Sequence, residues 1–236
     1  MIRYILFDLD GTLLPMDQEI FVKDYFTRLA KHIGPFGYDP NTLFQNLWKG
    51  VGAMVMNDGS VKNEVVFWKV FEQLYGKRVY DDIGLFEEFY RTDFQNTAKV
   101  CGYDPEAKRC VDAVKDMGYK VVLATNPIFP AIATESRMRW AGLEPELFAA
   151  YTTYEDCHYC KPNLKYYREL LGKLGLEPEE CIMVGNDVSE DMIAEQLGMK
   201  VFLLTDCIIN KEEKDINLYS HGSFEELREF LLTCIS

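Results

Sequence analysis

The sequence predicts an α/β fold: a doubly wound, mainly parallel five-stranded sheet whose first strand is followed by an inserted all-helical segment. Three observations carry that expectation. Five short apolar runs lack polar/apolar alternation, which is how strands read when helices cover both faces of a sheet. Helix-period stretches separate the later runs, as crossovers between parallel strands require. After the first run, residues 16–95 carry helical texture and no strand candidate.

Tyr4 to Phe7 is the first strand, and Asp8 and Asp10 follow at its carboxyl end with Gly11 turning the chain beside them. Gln18 to His32 sets Ile20, Phe21, Tyr25, Phe26 and Leu29 on a helical stripe that ends near Gly34 and Pro35. Thr42 to Met56, Val61 to Tyr75 and Ile83 to Phe94 repeat the texture, with Gly, Pro, Asn and Asp clusters between them. This block is rich in Phe, Trp and Tyr. Aromatic side chains at helical spacing are expected in the core; those in loops or facing Asp8 are the expected substrate contacts.

Alternation resumes after Pro105. Glu106 to Met117 reads as a helix, Lys120 to Ala124 as the second strand and Ile128 to Trp140 as a helix. Phe148 to Thr152 makes a third strand, and Asn163 to Leu174 a helix. Cys181 to Val184 is the fourth strand, Glu190 to Leu197 a helix and Val201 to Leu204 the fifth strand. Ser223 to Leu232 closes the pattern as an amphipathic helix, and Asn210 to Asp215 reads as a solvated loop or helix end.

With 236 residues the chain allows one large domain or two modest ones. No run of about eighteen uncharged apolar residues occurs, so no membrane span is expected. Residues 1–7 are too short for a signal peptide, and Asp8 and Asp10 would interrupt its apolar region. Seven cysteines, odd in number and scattered, do not form a disulfide framework, so a reducing cytoplasm is the expected compartment. A formal net charge of −13 argues against nucleic acid or an anionic membrane as partner. A small anionic substrate stays open, since a metal ion and one or two lysines reverse the field inside one cleft.

Polar residues stand where the strands end, at the edge of an open α/β sheet that binds ligands. Asp8 and Asp10 repel one another, so a site keeping them together binds a cation, shares a proton, or does both; the same residues are also ordinary turn formers. Thr125 and Asn126 offer a hydroxyl and a backbone N–H for phosphate oxygens, helped by the helix that follows. Lys161, before Pro162, supplies a cation. Asp187 and Asp191 are four apart and share a face if a helix begins near Val188, though acidic residues also favour helix N-termini.

Asp8-Leu9-Asp10-Gly11-Thr12, Thr125-Asn126, Lys161-Pro162 and Gly185-Asn186-Asp187 with Asp191 resemble, in order, the four motifs of the haloacid dehalogenase-like hydrolase superfamily. The resemblance spans residues 1–15 and about 96–210. It implies a Rossmann-like catalytic core, residues 1–15 and 96–236, and a mobile helical cap, residues 16–95. It further implies Asp8 as nucleophile and Asp10 as general acid and base. Mg²⁺ would be held by the Asp8 carboxylate, the Asp10 backbone carbonyl and the Asp187 carboxylate. Thr125, the Asn126 N–H and Lys161 would hold the phosphoryl oxygens, and Asp191 would orient a metal-bound water or Lys161. One departure stands out: the family's Gly-Asp reads Gly185-Asn186-Asp187. Aligned on the four-residue gap to Asp191, Asp187 is the ligand and Asn186 its neighbour; otherwise the two exchange roles.

The expected function is therefore a Mg²⁺-dependent phosphatase acting on a small phosphorylated metabolite through an aspartyl-phosphate. Phosphomutase-type transfer and a catalytically silent regulatory or binding protein are the alternatives. Carbon–halogen hydrolysis is disfavoured because Asp10 and Asp187 would lack a purpose. Cys157-His158-Tyr159-Cys160 lacks a second ligand pair and is not read as a zinc site, although His158, near Lys161, is placed at the border of the cleft. Oligomeric state is left open.

Overall fold

A computed structural model describes residues 1–234 of the chain. Strand β1, Tyr4–Phe7, runs at the centre of a six-stranded sheet. Strands β2 (Lys120–Leu123), β3 (Ala150–Tyr151), β4 (Cys181–Gly185), β5 (Lys200–Leu204) and β6 (Ser220–Gly222) complete it in the order β3-β2-β1-β4-β5-β6. Every pairing is parallel, with Phe7 opposite both Leu123 and Val184. The sheet thus has six strands rather than five. The additional edge strand, Ser-His-Gly, is short and polar, so no apolar run announces it.

Alternate side chains of β1 enter separate cores. Ile5 and Phe7 belong to a cluster with Val111, Met138 and Leu227 on one face, where α5 (Pro105–Asp116), α6 (Ala131–Trp140) and α8 (Phe224–Thr233) pack. Tyr4 and Leu6 face Tyr166, Leu170 and Leu171 of α7 (Leu164–Leu174) on the other. Phe7 is wholly buried, and its truncation to alanine would cost about 3–5 kcal/mol.

Between β1 and α5 lie α1 (Gln18–Ile33), α2 (Pro40–Val55), α3 (Asn63–Tyr75) and α4 (Ile83–Arg91). Asp17 starts α1, accepting the N–H groups of Glu19 and Ile20, and its stripe Phe21, Tyr25, Leu29 and Ile33 is buried. Tyr25 hydroxyl meets that of Tyr90 on α4 at 2.9 Å, and its ring stands 5.5 Å from Phe129, which follows β2. The block is therefore joined to the sheet layers through aromatic packing. Of the aromatics expected in the core, Phe36, Phe44 and Trp48 are exposed.

Several helix boundaries differ from expectation, α2 beginning at Pro40 and α3 at Asn63 among them. Helix α4 stops at Arg91, and a 3-10 stretch continues over Asp93–Val100. Helix α6 begins at Ala131, not Ile128, with Pro130 extended at its start. Asp187 forms an isolated bridge with Ile209, residues 188–191 form turns and Met192–Leu197 is a 3-10 helix, so Asp187 and Asp191 do not share a helical face. Among the described residues no helix is long and apolar enough to cross a membrane, and all seven cysteines are free thiols.

Candidate active site

The strand order reverses at β1, which has β2 on one side and β4 on the other, and the crevice at such a reversal is where open α/β sheets bind ligands. Asp8 leaves β1 there, its N–H donating to the Val184 carbonyl. Lys161 is fully buried, and its Nζ donates to Asp8 Oδ1 at 2.9 Å and Asp191 Oδ1 at 2.7 Å. Burial alone would lower the pKa of that ammonium, but Asp191 and Asp8 outweigh it and hold the pKa well above its ordinary value. Burial pushes the Asp191 carboxyl up to about 7, with Lys161 opposing and Asp8 reinforcing the rise. A Cβ on Gly185 would lie 2.0 Å from Asp191 Oδ2, so glycine is required for this carboxylate to sit behind the strand end.

Asp10 points elsewhere. Its Oδ2 is paired with Nη1 of Arg137, a side chain of α6 with no exposure at all, while its Oδ1 is buried without a partner. The guanidinium also stands 4.3 Å from the centre of the Phe129 ring, and its Nε donates to the Ala133 carbonyl at 3.3 Å. Burial pushes the Asp10 carboxyl up, against the pull of Arg137. The two carboxylates of the first motif therefore have different partners: Asp8 a lysine, Asp10 an arginine.

Asn186 and Asp187 are also placed differently. The Thr12 hydroxyl sits 3.1 Å from Asp8 Oδ2 and 3.0 Å from Asn186 Oδ1, and Asn186 Nδ2 donates to the Cys207 carbonyl at 2.6 Å. The Asn186 amide also fills the space where a Gly11 Cβ would be; Gly11 has φ +84°, open to glycine at no steric cost. Asp187 Oδ1 accepts the N–H groups of Ser189 and Glu190, closing the turn.

Thr125 and Asn126 lie beside this group. Asn126 Nδ2 donates to Glu190 Oε2 at 3.0 Å, and its Oδ1 is buried and unpartnered. The expected help from the next helix is absent, because both oxygens of Glu155 accept the Ala131 N–H at the start of α6. His158 pairs with Glu169 at 2.8 Å and is not among the residues lining the cleft. A cavity of about 590 Å³ opens from Asp8, Asp10, Thr125 and Asn126 toward α1, α2, α3 and α4.

A family model described as a haloacid dehalogenase-like hydrolase matches residues 2–197. The chain belongs to that family. It is 25% identical over 203 residues to the pyrophosphatase PpaX of Bacillus pumilus, covering 84% of this chain and 81% of that protein. It is 26% identical over 229 residues to a glyceraldehyde 3-phosphate phosphatase of Methanocaldococcus jannaschii, covering 96% of both. The structure of a 2-haloacid dehalogenase from Pseudomonas syringae shares the fold, with a TM-score of 0.62, 20% identity and 99% of both chains covered.

In this haloacid dehalogenase-like hydrolase the donor set suits a hard divalent cation. Asp8, Asp10, Asp187, Glu190 and Asp191 set five carboxylates against the cations Lys161 and Arg137, and Asp10 Oδ1 lacks any partner. Among the described residues no three carboxylate, imidazole or thiol groups converge as a ready metal cluster. Mg²⁺ asks for less, taking one or two carboxylates and keeping waters. Arg137, Glu155 and Glu190 escaped the reading of the sequence. Arg137 stands two residues from the exposed Arg139 in a helix without an apolar stripe, so nothing in the spacing distinguishes them.

Proposed function

We propose that this hydrolase is a Mg²⁺-dependent phosphatase of a small phosphorylated metabolite, with Asp8 as nucleophile and Asp10 as general acid and base. The observation that carries the reading is the buried Lys161 ammonium on Asp8 Oδ1, at a carboxylate that also lines the cavity. A nucleophile attacking a phosphate ester needs fixed orientation and a positive neighbour to receive charge on the phosphoryl oxygens. Lys161 and Thr12 supply the orientation, and Lys161, Thr125 and the Asn126 N–H would hold the phosphoryl group.

An Asp8 oxygen attacks phosphorus while the bond to the leaving oxygen breaks, and Asp10 gives that oxygen a proton. Asp10 then takes a proton from the water that attacks the aspartyl-phosphate, releasing phosphate and freeing Asp8. Oδ1, buried and unpartnered, is the atom left to carry the proton while Oδ2 stays on Arg137, and it would have to turn toward the cleft to deliver it. Burial, which raises the proton affinity of Asp10, favours the protonated form this step begins from.

The cation would be held by the Asp8 carboxylate, the Asp10 carbonyl and one oxygen from the turn after β4. Asn186 Oδ1 shares the Thr12 hydroxyl with Asp8, whereas Asp187 Oδ1 is committed to two backbone N–H groups. We therefore give Asn186 the ligand place and leave Asp187 to contribute charge beside it, with Asp191 positioning Lys161. Bound there, the ion would neutralise charge on the phosphoryl oxygens. Residues 16–95 would act as the cap, since α1 to α4 form the far walls of the cavity. Free thiols fit a reducing cytoplasm.

Purified protein assayed against phosphorylated sugars, nucleotides and small acids, with Mg²⁺ and with EDTA, tests the reading. Hydrolysis that needs Mg²⁺ and vanishes in Asp8→Asn is expected. Retained activity in Asp8→Asn would remove Asp8 from the chemistry, and inertness toward the whole panel would favour a silent binding protein.

A further inference from the structure

We infer that the alcohol part of the substrate is uncharged and apolar, with a ring or branched hydrocarbon that fills the helical end of the cavity; this rests on the phosphatase reading and narrows it. Beyond the catalytic carboxylates the cavity is walled by Phe21, Phe26, Trp48, Val51, Trp68 and Phe86. Its volume of about 590 Å³ lies within the range of sites that enclose a ligand of drug size. Trp48 is 44% exposed although it lines the cavity, and it stands 6.0 Å from Phe26 and 6.2 Å from Phe44. Phe21, Trp68 and Phe86 are held in place by burial, so Trp48 is the exposed ring among those named, and an exposed indole on an apolar wall is a surface that apolar atoms would cover.

Charge points the same way. The charged groups on the walls away from the strand ends are Glu64, Glu87, Glu155 and Arg91. Arg91 is bonded to Glu87 at 3.0 Å in an exposed pair, and with Glu64 and Glu155 beside it the helical end carries a net negative charge. Lys211 lies at the other end, two residues after Ile209, whose N–H donates to the Asn186 carbonyl. A second phosphate or a carboxylate would therefore be moved from water to a wall of rings whose charged groups are mostly glutamates. This weighs against a sugar bisphosphate, and with it against mutase-type transfer.

The test compares three esters of primary alcohols, so that leaving-group reactivity is similar: 3-phenylpropyl phosphate, glycerol 3-phosphate and propane-1,3-diol bisphosphate. The first is expected to exceed the second at least tenfold in kcat/KM and the third at least a hundredfold. Trp48→Ala is expected to raise KM for the phenyl ester several-fold more than it lowers kcat, and Trp48→Phe to restore most of the loss. Equal or better hydrolysis of either polar ester would overturn the inference and leave the phosphatase reading standing. Direct binding of 3-phenylpropanol, read by calorimetry, is independent of turnover. If none of the three esters is hydrolysed, the wider panel of phosphate esters decides the phosphatase reading. Binding of the alcohol that Trp48→Ala weakens would then still support an apolar pocket, and absence of binding would overturn it.

Discussion

Replacing Arg137 with methionine strands Asp10. The guanidinium is wholly buried and is the partner of Asp10 Oδ2, while Asp10 Oδ1 has none, so the carboxylate has no other donor to fall back on. Breaking a buried ion pair from one side costs about 3–5 kcal/mol. Asp10 retains 22% side-chain exposure toward the cavity, which lets water reach it and sets the expectation at the lower end, about 3 kcal/mol at pH 8. The sign of the pH dependence follows from the direction of the shift. Burial already holds the folded pKa above its ordinary 3.8, and losing Arg137, which pulls it down, raises it further. A carboxyl with a raised folded pKa loses stability as pH rises through that value, so the deficit of Arg137→Met should shrink toward pH 4. Urea unfolding of the wild type, Arg137→Met, Asp10→Asn and the double variant measures the coupling, provided the slopes agree. The double variant should be more stable than the sum of the single losses by about 1.5 kcal/mol or more. Additivity to within about 0.5 kcal/mol would show that the two side chains do not act as a pair.

Lys161→Met should lower kcat by about a hundredfold or more, because it removes a charge from the phosphoryl oxygens and leaves Asp8 and Asp191 facing one another; a loss under tenfold in steady-state assays would contradict its placement. Asn186→Ala should raise the Mg²⁺ concentration for half-maximal activity by about tenfold, more than Asp187→Asn does, and the reverse order in a Mg²⁺ titration would return the ligand place to Asp187. Glu169 is held below its ordinary 4.5: burial raises it, but hydrogen bonds from His158 and Lys173 outweigh burial. Its contribution is present above 4.5 and lost as pH falls through the lower folded value, so Glu169→Gln should cost about 1 kcal/mol at neutral pH and converge with the wild type in acid unfolding.

Much of this arrangement was legible where one local signal decides one local structure. The apolar run Tyr4–Phe7 is the central strand with the expected bounds, and Asp8 and Thr125 stand just past the ends of β1 and β2, whereas Lys161 lies well beyond β3 and is singled out only through the ordered motifs. Where two signals compete, the reading fails. Asp187 was expected on a helix, but its carboxylate bonds the next two N–H groups and holds a turn, the alternative short acidic side chains offer the backbone. The sequence starts helix α6 at Ile128, and Pro130, extended, delays it to Ala131. Arg137 owes its role to burial, and Glu155 and Glu190 owe theirs to contacts far along the chain, neither of which the spacing of charged residues encodes. Glu155 caps α6 from 24 positions away, and Arg137 meets a carboxylate 127 positions away.

The central claim is that Asp8 becomes covalently phosphorylated. Mixing the protein with a hydrolysed phosphate ester, quenching in acid and reducing with borohydride would convert an aspartyl-phosphate at position 8 to homoserine, read by peptide mass spectrometry. Homoserine at position 8, found only when ester is present, is the expected result. Rapid ester consumption with an unaltered Asp8 peptide, under conditions that trap a known acyl-phosphate, would contradict the account.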